Sequence, residues 1–197
     1  MDWRNASPRT TTSRQTMKSR YIVRSDASSD QTIADIAEGA AGPLEARSLT
    51  MGAVYRRAMR LDAGRLYDLR RRSILEVAPP TMPVADAQAW AVQLTLPGME
   101  QKLRELEVWV AEWGGIVAGW GAIRDDHLEG LYTAPELVGQ GIGSGLLGML
   151  EGLIRQRQFP SVQAEASSNA LAFYLRRGYR ANGPQTANGA FPIAKAL

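Results

Sequence analysis

The chain has 197 residues, 45% of them hydrophobic and 22% charged, enough for one domain with a real core and an extension beside it. No apolar run reaches the about 18 residues of a membrane-spanning helix, and no secretory signal is expected, because the N-terminus lacks an apolar segment. The absence of cysteine and the single histidine exclude disulfides, thiolate nucleophiles and Cys- or His-rich metal sites, while a formal net charge of +3 argues against a dedicated nucleic-acid binder.

Met1 to about Thr50 is rich in Ser, Thr, Ala and Arg and poor in large apolar residues. It is expected to be a mostly disordered extension with a short helix near Thr32–Glu38, and Met51 reads as a natural start of the compact part. The Arg and Ser content also suits a transit peptide, against which Asp2, Asp26, Asp30 and Asp35 weigh.

Val54 to Arg60 alternates loosely, as a first strand would. Asp62 suits an N-cap for a helix from Ala63 to about Leu75, with Leu66, Leu69 and Ile74 at helical spacing. Arg70, Arg71 and Arg72 form a basic run on it. The run reads as a solvated helix face, or as an attractor for an acidic substrate or cofactor phosphates. After Pro79, Pro80 and Pro83, a second helix spans about Val84 to Val92. A further helical turn lies around Glu100–Arg104.

Strands follow. Glu107–Glu112 and Ile116–Ile123 flank Gly114-Gly115 as a hairpin, and Asp125-Asp126 turns the chain into His127–Thr133. His127 reads as an exposed turn residue, and Trp109, Trp113 and Trp120 as packing. Ile142 to Arg157 is amphipathic, with Leu146, Leu147, Leu150, Leu153 and Ile154 on its inner face. Ser161–Glu165 is a short strand, so His127 to Glu165 has the length of a parallel crossover. Ser168 or Asn169 caps a last helix, Ala170 to Arg177, closed by Gly178. Tyr179-Arg180 and Phe191–Lys195 are final strand pieces.

Between strand and amphipathic helix, Gly139, Gly141 and Gly143 alternate. Glycines there let the backbone approach a ligand, and the helix offers its first N–H groups and positive dipole end to an anion. No Gly-Lys-Ser/Thr closes the turn, so a nucleotide P-loop does not fit. Gly143-Ser-Gly145-Leu-Leu-Gly148 does match the dinucleotide pattern G-x-G-x-x-G, with Glu165 downstream. The context opposes that match. Five residues, Ala134 to Val138, separate the strand from the turn, and Gly145 and Gly148 fall within the amphipathic helix.

From Leu131-Tyr-Thr-Ala-Pro-Glu-Leu-Val-Gly-Gln-Gly-Ile-Gly-Ser144, the chain resembles the GNAT family of N-acetyltransferases. Gly141 and Gly143 match the glycines of its Gln/Arg-x-x-Gly-x-Gly/Ala pattern, while Val138 stands at the Gln/Arg position. Asn169, Phe173 and Tyr174, followed by Gly178-Tyr179, are similar to the family's late motif. Arg70–Ile74 with Ala89-Trp90-Ala91 is similar to a bacterial subgroup. The resemblance covers roughly Val54 to Leu197. It implies an α/β fold of α+β character, a central mixed, mostly antiparallel sheet flanked by helices, as the acetyltransferase domain of residues 51–197.

The resemblance also implies acetyl-CoA as cosubstrate and no metal. The coenzyme would contact Leu131, Tyr132, Thr133, Val138, Gly139, Gln140, Gly141, Ile142, Gly143, Ser144, Asn169 and Phe173. Its pantetheine arm would lie in an opening between the fourth and fifth strands, paired with free backbone near Leu131 and Thr133. Transfer to an amine needs a placed thioester, a neutral amine, stabilised negative charge on oxygen and a proton for the thiolate. Tyr174, a phenol protonated at neutral pH, is the candidate acid, with packing in an amphipathic helix as its other reading. Glu129 shares a face with Leu131 and Thr133 by strand alternation and reads as the candidate base or as a solvated strand residue. The expected function is acetyl transfer to a small-molecule or peptide amine by direct attack in a ternary complex, in the cytoplasm, with neither nucleic acid nor membrane as partner and a homodimer as the assembly compatible with it. A catalytically silent acyl-CoA-binding sensor or interaction module is the alternative. The acceptor pocket is expected from the two N-terminal helices and the last loop.

Overall fold

A computed structural model describes residues 52–79 and 81–197. The expectations for Met1–Thr50 and for Met51 as a start fall outside the described residues. The core of the fold is a seven-stranded sheet of order β1-β2-β3-β4-β5-β7-β6. Its strands are β1 Val54–Arg57, β2 Glu107–Trp113, β3 Ile116–Arg124, β4 His127–Thr133, β5 Ser161–Ala166, β6 Arg180–Ala181 and β7 Phe191–Ala196. Every pairing is antiparallel except β4 with β5. The expected mixed, mostly antiparallel sheet is therefore present. The crossover from β4 to β5 runs through the long helix α4, Ile142–Gln156.

The other helices are α1 Ala63–Arg72, α2 Val84–Val92, α3 Leu96–Glu105 and α5 Ser168–Leu175. α2 has the expected bounds. α3 is longer than the expected turn, because Thr95 caps it by accepting from the Gly98 N–H at 3.1 Å and Pro97 sits in its first turn. α1 continues into a wider π turn over Ser73–Val77.

Asp62 precedes α1 without capping it. Its carboxylate instead accepts from Arg56 Nη1 at 2.7 Å, Arg56 Nη2 at 2.9 Å and the Met59 N–H at 2.7 Å. Burial alone would raise the Asp62 carboxyl, but these hydrogen bonds and the Arg56 charge outweigh it and hold its pKa below the usual range. The pair ties β1 to the start of α1.

The two sheet faces are covered by different helices. On one, the Trp120 indole donates to the Leu66 carbonyl at 2.9 Å, joining β3 to α1. On the other, α4 lies so close to β3 that a Cβ on Gly119 would stand 2.9 Å from Leu146 Cδ1. α4 also approaches β1, where a Cβ on Gly145 would meet Tyr55 Oη at 2.8 Å. Leu146, Leu147, Leu150 and Ile154 are all buried, as their helical spacing predicts.

Candidate active site

β4 and β5 pair through only two residues each, His127 with Gln163 and Leu128 with Ala164. β4 then continues to Thr133 against β3, and β5 continues to Ala166 against β7. From Glu129 to Thr133 no strand pairs with the β5-facing edge of β4 among the described residues. The cause is local. Ala122 pairs with Gly130 and Ile123 with Leu128, so Glu129 is an extra residue in β4. Such a bulge bends its strand and increases the twist. Gly130 takes a φ of 152°, a conformation that favours glycine. The expected opening between the fourth and fifth strands is thus a feature of the fold, and His127 sits at its closed end.

β4 leads through a short 3₁₀ turn, Pro135–Leu137, into the glycine turn. Gly139 and Gly141 are left-handed, at φ 89° and 82°, and a Cβ on either would meet nothing within 4 Å. Gly141 is the N-cap of α4, and no side chain caps the helix. The first N–H groups of α4, from Ile142 through Ser144, precede its first internal hydrogen bond, from Gly145 N–H to the Gly141 carbonyl. With the dipole behind them, they form an open, positive end. Ile142 anchors that end by burying its side chain, whereas Val138 and Gln140 are exposed.

Strand edge and helix end adjoin. A Cβ on Gly143 would lie 3.2 Å from Leu131 Cδ2, 3.4 Å from Thr133 Oγ1 and 3.6 Å from Phe173 Cε2. Leu131, Thr133, Gly143 and Phe173 therefore converge. Beside them Ser144 Oγ accepts from Arg177 Nη2, and the Arg177 guanidinium lies 3.7 Å from the Phe173 ring centre.

Three predicted residues sit differently than expected. Tyr132 turns its ring to the α1 face, 5.0 Å from Trp120, so only its backbone faces the splay. Glu129 does not continue the alternation of Leu131 and Thr133, because the bulge intervenes. Its carboxylate is buried, and its charge is felt by Lys102 of α3. Asn169 lies in the first turn of α5 and accepts from Ser167 Oγ at 2.8 Å, while Ser167 is the N-cap residue. Tyr174 is buried, its ring edge-on to Phe173 and Tyr179 at 5.4 and 5.3 Å. Gly178, at φ 85°, turns the chain after α5 as expected.

The family of the acetyltransferase (GNAT) domain matches residues 79–193. The chain belongs to this family. Solved GNAT structures share the fold. The GCN5-related N-acetyltransferase from Rhodopseudomonas palustris is 23% identical, with a TM-score of 0.69 over 76% of this chain and 99% of its own. PaiA N-acetyltransferase from Thermoplasma acidophilum, solved with coenzyme A, is 17% identical, with a TM-score of 0.63 over 75% of this chain and all of its own. YncA from Salmonella typhimurium, solved with acetyl-CoA, is 21% identical, with a TM-score of 0.52 over 74% and 94%. A search of curated proteins returns no match.

On its α1 face the GNAT domain holds a cavity of about 930 Å³ between α2, α3 and the β6–β7 loop. Trp90, Gln101, Lys102, Ser167 and Asn188 are among its walls. It adjoins the splay, because Arg70 in its wall binds Tyr132 of β4 and Ser167 follows β5. Its walls include the two helices and the last loop named above for the acceptor pocket, with α3 as an added wall. Burial, and then the Arg70 charge, push the Lys102 ammonium down to about 8, with Glu129 partly opposing them.

Arg70 is the residue that sequence reasoning passed over within the basic run. Of the three arginines it alone is buried. The signal was present: Leu66, Leu69 and Arg70 stand at i, i+3 and i+4, the spacing of one helical face. Arg72 instead pairs outside with Glu76 and Glu136, at 3.2 and 2.8 Å.

Proposed function

We propose that this GNAT domain transfers the acetyl group of acetyl-CoA to a primary amine, by direct attack in a ternary complex. The observation that carries this reading is the splay of β4 from β5, opening onto the uncapped, glycine-hinged end of α4. An extended amide-bearing arm suits an unpaired strand edge, and a pyrophosphate suits a helix N-terminus. The two lie in contact through Gly143.

The residues present fit the coenzyme. The N–H groups of α4's first turn, from Ile142 to Ser144, would hold the pyrophosphate, and Gly139 and Gly141 leave room for it. The backbone of Leu131 and Thr133 would hold the arm, with Phe173 as the wall and Asn169 at the start of α5. Val138 offers no polar contact, so binding falls to backbone donors. Acetyl-CoA supplies an activated acyl group.

The chain supplies position and proton movement. Glu129, buried at the strand bulge between splay and cavity, accepts the proton of the incoming amine, directly or through water. Tyr174 returns a proton to the leaving sulfur. A chain without cysteine forms no thiol-bound acyl-enzyme, consistent with direct attack. The acceptor, a small-molecule or peptide amine, enters from the cavity walled by α2, α3 and the β6–β7 loop.

Calorimetry with acetyl-CoA, followed by thiol release across a panel of amines, tests the reading. Saturable acetyl-CoA binding and amine-dependent release of free thiol are expected. Binding without turnover by any amine would favour an acyl-CoA sensor instead. No acetyl-CoA binding would overturn both.

A further inference from the structure

We infer that the acceptor amine carries a carboxylate, which docks on Arg70 inside the cavity between α2, α3 and the β6–β7 loop. The inference rests on the acetyl-transfer reading of the same site and names the chemistry of its second substrate.

The cavity is large enough for a small metabolite or a chain terminus, at about 930 Å³. Arg70 lines it while being only 9% exposed. A charge buried that deeply is costly unless it is paired. Arg70 has no carboxylate partner among the described residues. Its Nε donates to the Tyr132 hydroxyl at 3.0 Å, and its guanidinium carbon lies 5.2 Å from that ring's centre. These contacts fix the plane of the fork and leave both terminal nitrogens without a hydrogen bond to any described residue. A planar pair of donors matches the two oxygens of a carboxylate.

The surrounding charges favour a monoanion. Lys102 of α3 is close enough for its charge and that of Arg70 to repel, and Glu129 lies within reach of Lys102. Two cations against one buried carboxylate leave one positive charge, which a carboxylate balances and a doubly charged phosphate would exceed. Asp86 and Glu105, the acids on the cavity wall, are exposed. Glu105 already accepts from Gln101 at 2.6 Å. Tyr132, which holds Arg70, belongs to β4 a few residues beyond Glu129. A carboxylate on Arg70 would therefore leave the amine of a short amino acid or a peptide near the base. Trp90 and Leu94 offer an apolar wall for the remainder of such a molecule.

The test compares matched pairs. The twenty amino acids and their carboxamides are assayed for acetyl-CoA-dependent thiol release. Their N-acetyl derivatives, free acid against amide, are titrated calorimetrically into the CoA-bound protein. The free acid is expected to exceed its amide by on the order of tenfold to a hundredfold in kcat/KM or affinity. Arg70→Gln is expected to abolish that ratio, and Arg70→Lys to retain part of it. Melting temperature and acetyl-CoA affinity are measured for each variant, so that a folding defect is recognised. If Arg70→Gln does not fold, the acid-to-amide ratio in the unaltered protein decides. Equal handling of acid and amide, no response to either set, or an undiminished ratio in a folded Arg70→Gln would overturn the inference while acetyl-CoA binding persists. Loss of acetyl-CoA binding by the unaltered protein would instead overturn the transfer reading beneath it.

Discussion

Two glycines of α4 and its turn should respond to alanine with opposite signs. Gly141 is left-handed at φ 82°, and its Cβ direction is open. The obstacle to alanine there is backbone conformation, about 1–2 kcal/mol for an L-residue, and not crowding by neighbouring protein. In the free protein the exposed turn can relax to a negative φ and avoid most of that cost. Relaxation redirects the N–H groups that face the coenzyme, so the cost reappears on binding. Gly141→Ala is expected to weaken acetyl-CoA binding about fivefold to thirtyfold by calorimetry. Gly148 lies in the interior of α4, and a Cβ there also meets nothing within 4 Å. Gly148→Ala should stabilise the fold by roughly 0.5–1 kcal/mol through the unfolded state, with affinity unchanged. Unchanged affinity in Gly141→Ala would refute the assignment of the cradle. Equal weakening by Gly148→Ala would point to the dinucleotide pattern, in which Gly148 is the third glycine.

Other substitutions probe the remaining parts. Tyr174→Phe should lower kcat by about a hundredfold or more with little change in acetyl-CoA affinity, and an unaffected rate in single-turnover thiol release would remove Tyr174 from proton transfer. Glu129→Gln should lower kcat similarly, and the deficit should shrink at high pH, where the amine loses its own proton; a constant deficit across pH would argue for a structural role. Asp62→Asn should cost about 2–3 kcal/mol in urea unfolding, because the charge and one of the two oxygens that accept from Arg56 and Met59 are lost. Since the native Asp62 pKa is depressed, its contribution is full above its unfolded pKa of about 3.9 and disappears as pH falls through the native value. The unaltered protein should therefore show an acid-side loss of stability that Asp62→Asn lacks.

The parts of the fold legible in the sequence are those set by short-range chemistry. Proline, glycine and apolar spacing place α2, the β2–β3 hairpin and the amphipathic α4 within a residue or two of their bounds. Gly139 and Gly141 are legible because a left-handed turn before a helix selects glycine. Glu129 is not, because a bulge depends on register with β3 and leaves no mark in a two-residue alternation. Asp62 looks like a cap because a cap and an ion-pair partner use the same carboxylate. Only the position of Arg56 on β1 distinguishes them. Arg70 was hidden by Arg71 and Arg72, since a run of one residue type conceals which member falls on the buried stripe.

Hydrogen exchange of the backbone with and without acetyl-CoA tests the central claim most directly, because it reads the amides that the coenzyme would occupy. Slowed exchange is predicted in two separated segments, Leu131–Thr133 on the open edge of β4 and Gly139–Ser144 at the start of α4. Protection confined to other segments, or none at saturating acetyl-CoA, would contradict the account.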